Sequence, residues 1–329
     1  MLASIAVKEF NTKVSTYSII DKDERYNEKN NILATVKDLK CKSNLVYLNH
    51  DKTFFNLKKL VQYHECPIST ASYLVHSYLS EKISKNNYKV AISGTGADEL
   101  FTGYYHHYLL YLKVIKHNKN FNKKFSDWKK FVLPLVRNSN LKDLSLRNKN
   151  NNYEDINIIK KFVKKITKKN KEKKFKNTDI LRNKMLNELF YEVIPVILHH
   201  DDLNSMYYSI ENRSPYLDKN LFEFANSIPT NFLINQGYQK NILRDSFKNI
   251  LNDQVRLDRH KKGFNASINT IINFKDPTIN SYLFDKNSEI NDFVNMKEIK
   301  KEIYTNNSNQ FSKFIFSVLN TKIFIDAFN

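Results

Sequence analysis

The sequence predicts an α/β protein, a parallel sheet covered by helices in its first third followed by a mostly helical region. Three observations lead there. Short β-prone runs at residues 14–20, 45–48 and 89–93 are separated by segments of helical periodicity, and strands alternating with helices indicate a parallel sheet with helices on both faces. Beyond about Leu109 strand signals fade and 3.6-residue periodicity dominates. The chain holds only five glycines, and three of them fall within residues 93–104, directly after the third run. Glycine permits backbone conformations and close ligand approach that other residues forbid. A binding turn is therefore expected at the carboxyl end of that strand, where such sheets take their ligands.

The elements follow in order. Leu2, Ile5, Ala6 and Phe10 mark a first helix, residues 14–20 a buried strand, and Ile32, Leu33, Val36 and Leu39 a second helix. A strand at 45–48 precedes helical segments at 54–61 and 71–83, and the strand at 89–93 closes this part. The division expected is 1–112 for the α/β part and 113–329 for the helical part. Residues 138–152 are largely polar and read as a connector. Ile156, Ile159, Phe162, Val163 and Ile166 recur at helical spacing with lysines between them, a basic amphipathic helix. Leu181, Met185, Leu189 and Val193 predict a helix that reaches Pro195, and residues 314–328 an apolar core helix.

Composition narrows the function classes. With 329 residues, 41% of them hydrophobic, the chain is long enough for a substantial core. No run has membrane-spanning length and the first residues lack a basic segment, so neither a membrane span nor a signal peptide is expected. Cys41 and Cys66 are too few for a disulfide framework or a multi-cysteine zinc site, which fits a cytoplasmic protein. The net charge of +19 raises nucleic acid as a partner. No reader motif accompanies it, and a solvated lysine face is the preferred account.

Four segments carry the chemistry. The turn at 93–104 bears Ser93, Gly94, Gly96, Asp98, Glu99, Phe101, Gly103 and Tyr104. Asp202, Ser205 and Met206 lead into Ser209, Glu211, Arg213, Pro215, Leu217 and Asp218. Lys240 with Leu243 and Arg244 follows, then Arg259, Lys261, Gly263 and Phe264. In this order, and across essentially the whole chain, they resemble the synthetase domain of glutamine-dependent asparagine synthetases. The resemblance implies an adenine-nucleotide alpha-hydrolase-like parallel sheet followed by a helical region. It also implies that ATP adenylates a carboxylate, aspartate by family habit, giving β-aspartyl-AMP, which ammonia released from glutamine then attacks.

Such chemistry needs donors and cations around phosphates, a carboxylate-held Mg2+ and a proton acceptor. By the resemblance Ser93, Gly94 and Gly96 border the nucleotide and Ile19 lines the adenine pocket. Asp98 and Glu99 hold the metal or phosphates, Lys261 and Lys240 neutralise developing charge, and Asp201 or Asp202 assists proton transfer. Each residue has a plainer reading. Asp98 and Glu99 suit a helix N-terminus, Asp202 a buried partner for an arginine, and Arg213 with Glu211 or Asp218 a structural ion pair holding the helical region. The histidine pairs His106–His107 and His199–His200 lack metal-ligand spacing with further ligands and read as surface or core residues.

Two departures from the pattern matter. The family's SGG-x-DS pyrophosphate loop lies on a first strand immediately before the first helix, whereas residues 1–6 here look like the inside of that helix. The first strand, its loop and the glutaminase domain with its nucleophilic cysteine are thus expected to be missing, leaving a fragment of weak stability and little or no ATP-dependent activity. Thr95 stands where the family usually carries a glutamate linked to formation of the acyl-adenylate. A neutral hydroxyl is no comparable base, so a uronic acid of a surface polysaccharide rivals aspartate as substrate. A non-catalytic remnant or basic nucleic-acid-binding module is the third alternative, and a homodimer is left open.

Overall fold

The computed structural model describes residues 1–24, 26–48, 52–138, 141–142, 160–164, 172–260, 266, 268–305 and 308–329. The first third follows the predicted order: α1 (Leu2–Lys8), β1 (Ser15–Ile20), α2 (Lys29–Leu39), β2 (Lys42–Tyr47), α3 (Thr53–His64), α4 (Ala71–Lys85) and β3 (Val90–Ile92). β1 is built from Ser, Thr, Tyr and Ile, residues that fit a pleated, half-buried surface. It pairs in parallel with β2, Ser15 opposite Lys42 and Ile20 opposite Tyr47. Lys40, with φ 48, caps α2 in the left-handed region and turns the chain directly into β2. That conformation is uncommon for a residue with a Cβ.

The sheet departs from the single covered sheet that the sequence predicts. Among the described residues the strands form two separate parallel pairs, β1 with β2 and β3 with β4 (Glu211–Arg213). β3 is short, and Val90 and Ile92 are 42% and 65% exposed, so it is not buried on both faces. β4 escaped detection because Glu-Asn-Arg carries no apolar alternation. It is a strand through backbone pairing alone, with Glu211 N–H donating to Lys89 O and Ser93 N–H to Arg213 O, both at 2.8 Å.

Beyond β3 come α5 (Ala97–Phe101), α6 (Tyr105–Val114), α7 (Phe121–Asp127), α8 (Ile180–Asn187) and α9 (Ile194–Tyr207). The helix predicted to reach Pro195 is broken earlier. A π-helical turn at Glu188–Glu192 interrupts the 3.6-residue period, and Pro195 lies in the first turn of α9, where a missing N–H costs nothing. Most of the connector at 138–152 and of the basic helix at 156–166 lies outside the described residues. Phe162 is buried and stacks on Phe314, ring centroids 5.4 Å apart.

Two hydrophobic cores hold these elements. The first joins Leu57, Leu60 and Val61 of α3 and Leu74 of α4 to Ile315, Phe316, Leu319 and Ile323 of the C-terminal helix Asn309–Phe328. The second packs Phe101, Tyr108, Tyr111 and Trp128 against Leu181, Met185, Leu233 and Ile234. Among the described residues no helix is long and apolar enough to cross a membrane.

One buried polar knot sits beside the second core. Glu188 accepts from His106 Nε2 at 2.5 Å and from His107 Nε2 at 2.6 Å. Burial alone would raise its carboxyl pKa, but the two imidazoles outweigh burial and hold it below the usual carboxylate range. His106 is pushed down to about 4, first by burial and then by His107. Its folded pKa thus lies below its ordinary 6.5, and between those values the unfolded chain binds a proton that the folded chain does not. Stability is expected to fall as pH drops from about 6.5 towards 4, seen as a declining urea midpoint that His106→Asn flattens. Glu188→Ala leaves the buried His107 and the partly buried His106 imidazoles without their acceptor and is expected to cost about 3–5 kcal/mol in chemical denaturation.

Candidate active site

Ser93 directly follows β3, and the pairing with β4 sets that residue beside the end of the neighbouring strand. Ser93 Oγ lies 3.1 Å from Thr95 Oγ1 and 3.0 Å from Ser214 Oγ, a rim of hydroxyls across the two strand ends. The glycines around it differ in what requires them. Gly96 has φ +96, and a Cβ there would lie 2.5 Å from Leu217 Cδ2. Both conformation and packing demand glycine. A Cβ on Gly103 would lie 1.7 Å from Asp98 Oδ1, so this glycine is what lets the Asp98 side chain fold back over the backbone. A Cβ on Gly94 would meet nothing within 4 Å, which leaves open space beside the turn.

Asp98, on α5, forms an ion pair through Oδ1 with Lys240 Nζ, both side chains partly buried. Lys240 itself is in the left-handed region with φ 54. Its backbone N–H donates to Phe101 O at 3.1 Å, while Gln239 Nε2 donates to Tyr104 O. The 239–240 segment is thereby tied to the last residue of α5 and to Tyr104 just beyond it. Glu99, next to Asp98, is buried and accepts from Tyr104 Oη. Burial raises its carboxyl pKa, and the Tyr104 bond only partly opposes that.

The opposite wall comes from α4 and α9. Asp201 is buried, with Oδ1 2.6 Å from His76 Nδ1. Between these walls and the two strand pairs lies a cavity of about 1640 Å³, bordered by residues 15–17 of β1, 90–92 of β3, the 93–96 turn, Asp98, Glu99, His76, Asp201 and Lys240.

The structure therefore gathers Ser93, Gly94, Thr95, Gly96, Asp98, Glu99, Asp201 and Lys240 around one cavity. It separates the two adjacent aspartates: Asp202 is exposed on α9 and does not border the space. Ile19 packs against the first core, and the β1 residues that reach the cavity are 15–17. Lys261 lies outside the described residues. The ion pair expected of Arg213 exists, with Glu211 at 2.8 Å, but both side chains are 60% exposed. Such a pair contributes little and cannot hold the helical region together. Asp218 instead caps a helix by accepting from Leu221 N–H at 3.0 Å.

Sequence reasoning missed His76 and Ser214. His76 follows buried Tyr73 by three residues on α4, one helical turn along a face that turns inward. That spacing was a usable signal, but its partner Asp201 lies 125 residues away.

A carboxylate beside a lysine, a hydroxyl rim and a sterically enforced glycine turn at the end of a parallel strand can together handle an anionic ligand and its counter-cation. The fold and this cavity define an α/β protein with a large cavity at the carboxyl end of β3. Residues 1–324 match the asparagine synthase family, and the chain belongs to it. It is 26% identical over 288 residues to the glutamine-hydrolyzing asparagine synthetase 1 of Bacillus subtilis strain 168. That match takes in 81% of this chain and 44% of the relative, so the chain spans less than half the length of that protein.

The three glycines are expected to respond differently to alanine. Gly96→Ala and Gly103→Ala should each destabilise the chain by about 1–3 kcal/mol or more through overpacking. Gly94→Ala should stay within about 0.5 kcal/mol. Urea denaturation of the three variants measures this.

Proposed function

We propose that this chain forms the synthetase part of an ATP-dependent amide ligase that makes asparagine from aspartate through an acyl-adenylate, with ammonia drawn from glutamine by a separate glutaminase domain. The observation that carries the reading is the Asp98–Lys240 pair set at the mouth of the glycine turn, in a chain of the asparagine synthase family. The residues present suit the groups that this chemistry requires. Asp98 offers Mg2+ the hard carboxylate oxygen it prefers, and Ser93 and Thr95 offer hydroxyls to phosphate oxygens. The open space at Gly94 admits a ligand against the backbone. ATP supplies the activation that turns a poor electrophile into a good one. Lys240, released from Asp98 when the carboxylate engages a cation, is placed to neutralise negative charge that grows during acyl transfer. Asp201, held by His76, is the group placed to take a proton from the incoming amine.

Thr95 favours a second reading, amidation of a uronic acid, because no carboxylate stands at that point of the turn. Substrate-dependent ATP–pyrophosphate exchange separates the two. It is measured on residues 1–329 and on the same residues fused to a segment carrying SGG-x-DS. Exchange that requires aspartate supports the first reading and exchange that requires a uronic acid the second, whereas none with either acid in both forms rejects catalysis. In an active form, Asp98→Asn and Lys240→Met are each expected to lower exchange by about 100-fold or more.

A further inference from the structure

Behind the cavity wall, the end of α3 meets α9 at a cluster outside the site described above. His64 closes α3, Cys66 follows it by two residues, and His199 and His200 lie on α9. His64 Nδ1 and His200 Nδ1 face each other at 3.3 Å, and the donor atoms of His64, Cys66 and His200 all lie within 4.8 Å of one another. His199 Nε2 stands 3.8 Å from Cys66 Sγ. His64 and His200 are 5% and 2% exposed. We propose that His64, Cys66 and His200 form a zinc site.

The spacing favours a metal over a hydrogen-bonded cluster. Zn–N near 2.0–2.1 Å and Zn–S near 2.3 Å imply tetrahedral N···N and N···S edges of roughly 3.3 and 3.6 Å. The observed 3.3 Å between the two Nδ1 atoms matches the N···N edge and exceeds good hydrogen-bond lengths. The other histidine cluster makes the contrast: His106 and His107 sit 2.5 and 2.6 Å from the Glu188 oxygens, already closed by hydrogen bonds.

The surroundings also suit a metal-bound form. His200 Nε2 lies 2.6 Å from Ser69 Oγ, which can accept the ring proton and leave Nδ1 for the metal once the long 3.4 Å bond from Ser69 N–H to Nε2 is given up. His64 Nε2 and Asn204 Oδ1 are both buried, and the Asn204 side chain is the hydrogen-bonding neighbour of the His64 ring. Fixing Nδ1 on zinc commits the His64 proton to Nε2, where that oxygen can accept it. On binding, Cys66 gives up its thiol proton, while the proton between the two Nδ1 atoms stays on His64 by moving to Nε2. The bound ion would pin α9 to α3 one residue before Asp201, and so brace the cavity wall that Asp201 and His76 supply.

The test is metal titration of the full chain after chelation. One equivalent of Co2+ is expected to bind with a thiolate-to-metal charge-transfer absorption, to be displaced by Zn2+, and Zn2+ is expected to raise the thermal midpoint. Cys66→Ser should lose the charge-transfer absorption while Cys41→Ser keeps it. Absence of stoichiometric Co2+ uptake, uptake without the thiolate band, or a band that survives Cys66→Ser overturns the site. Because the first measurement uses the unmodified protein, a misfolded variant does not decide the outcome.

Discussion

Two backbone hydrogen bonds of 2.8 Å, Glu211 N–H to Lys89 O and Ser93 N–H to Arg213 O, fasten β3 to a strand drawn from more than a hundred residues later. The chemistry of the cavity hangs on that clamp. It sets Ser93 beside Ser214 and brings Tyr216 and Leu217 against the Gly96 turn. The turn launches α5, and α5 carries Asp98 to Lys240. The position of Asp98 is thus inherited from a strand pairing, with the Leu217 side chain packed against the turn that carries it.

Charge inside the molecule is handled by pairing rather than by exposure, despite the large positive excess of the chain. Asp98 meets Lys240, Asp201 meets His76, and Glu188 meets two imidazoles. These are not isolated pairs. Glu99 accepts from Tyr104, whose ring stacks on His106 at 5.4 Å, and His106 donates to Glu188. A polar network therefore runs from the cavity edge into the interior beside the second core. Desolvation makes every unsatisfied member of such a network expensive, which ties the geometry of the α5 turn to the packing of α6 and the π-helical turn.

The first core has a related role. Helices α3 and α4 pack against the C-terminal helix, and α9 lies across both. The cavity wall formed by His76 and Asp201 thus rests on residues from both ends of the chain. At the same place His64, Cys66 and His200 converge, and a metal there would join the elements through coordination as well as through apolar contact.

Much of the fold was legible from periodicity, because the strand and helix periods of the first third are set by residues close in sequence. The runs around Tyr17, Val46 and Ala91 became β1, β2 and β3, and the glycine-bearing turn gave the position of the cavity through Gly96 and Asp98. The order of the motifs gave the family. What stayed hidden depends on contacts between distant residues. β4 consists of polar residues that become a strand only when β3 offers its backbone. The helix through Leu189 is cut by a π-helical turn that no propensity marks. Asp201 and Asp202 are equivalent as a dipeptide, and only the rotation of α9 puts one in the cavity wall and the other in solvent. His64 and Cys66 gain meaning as ligands only once α9 brings His200 beside them. The sequence by itself determined the local periods, the glycine-bearing turn and the family. The tertiary structure alone decided which charged groups face one another, because through-space pairing has no period along the chain.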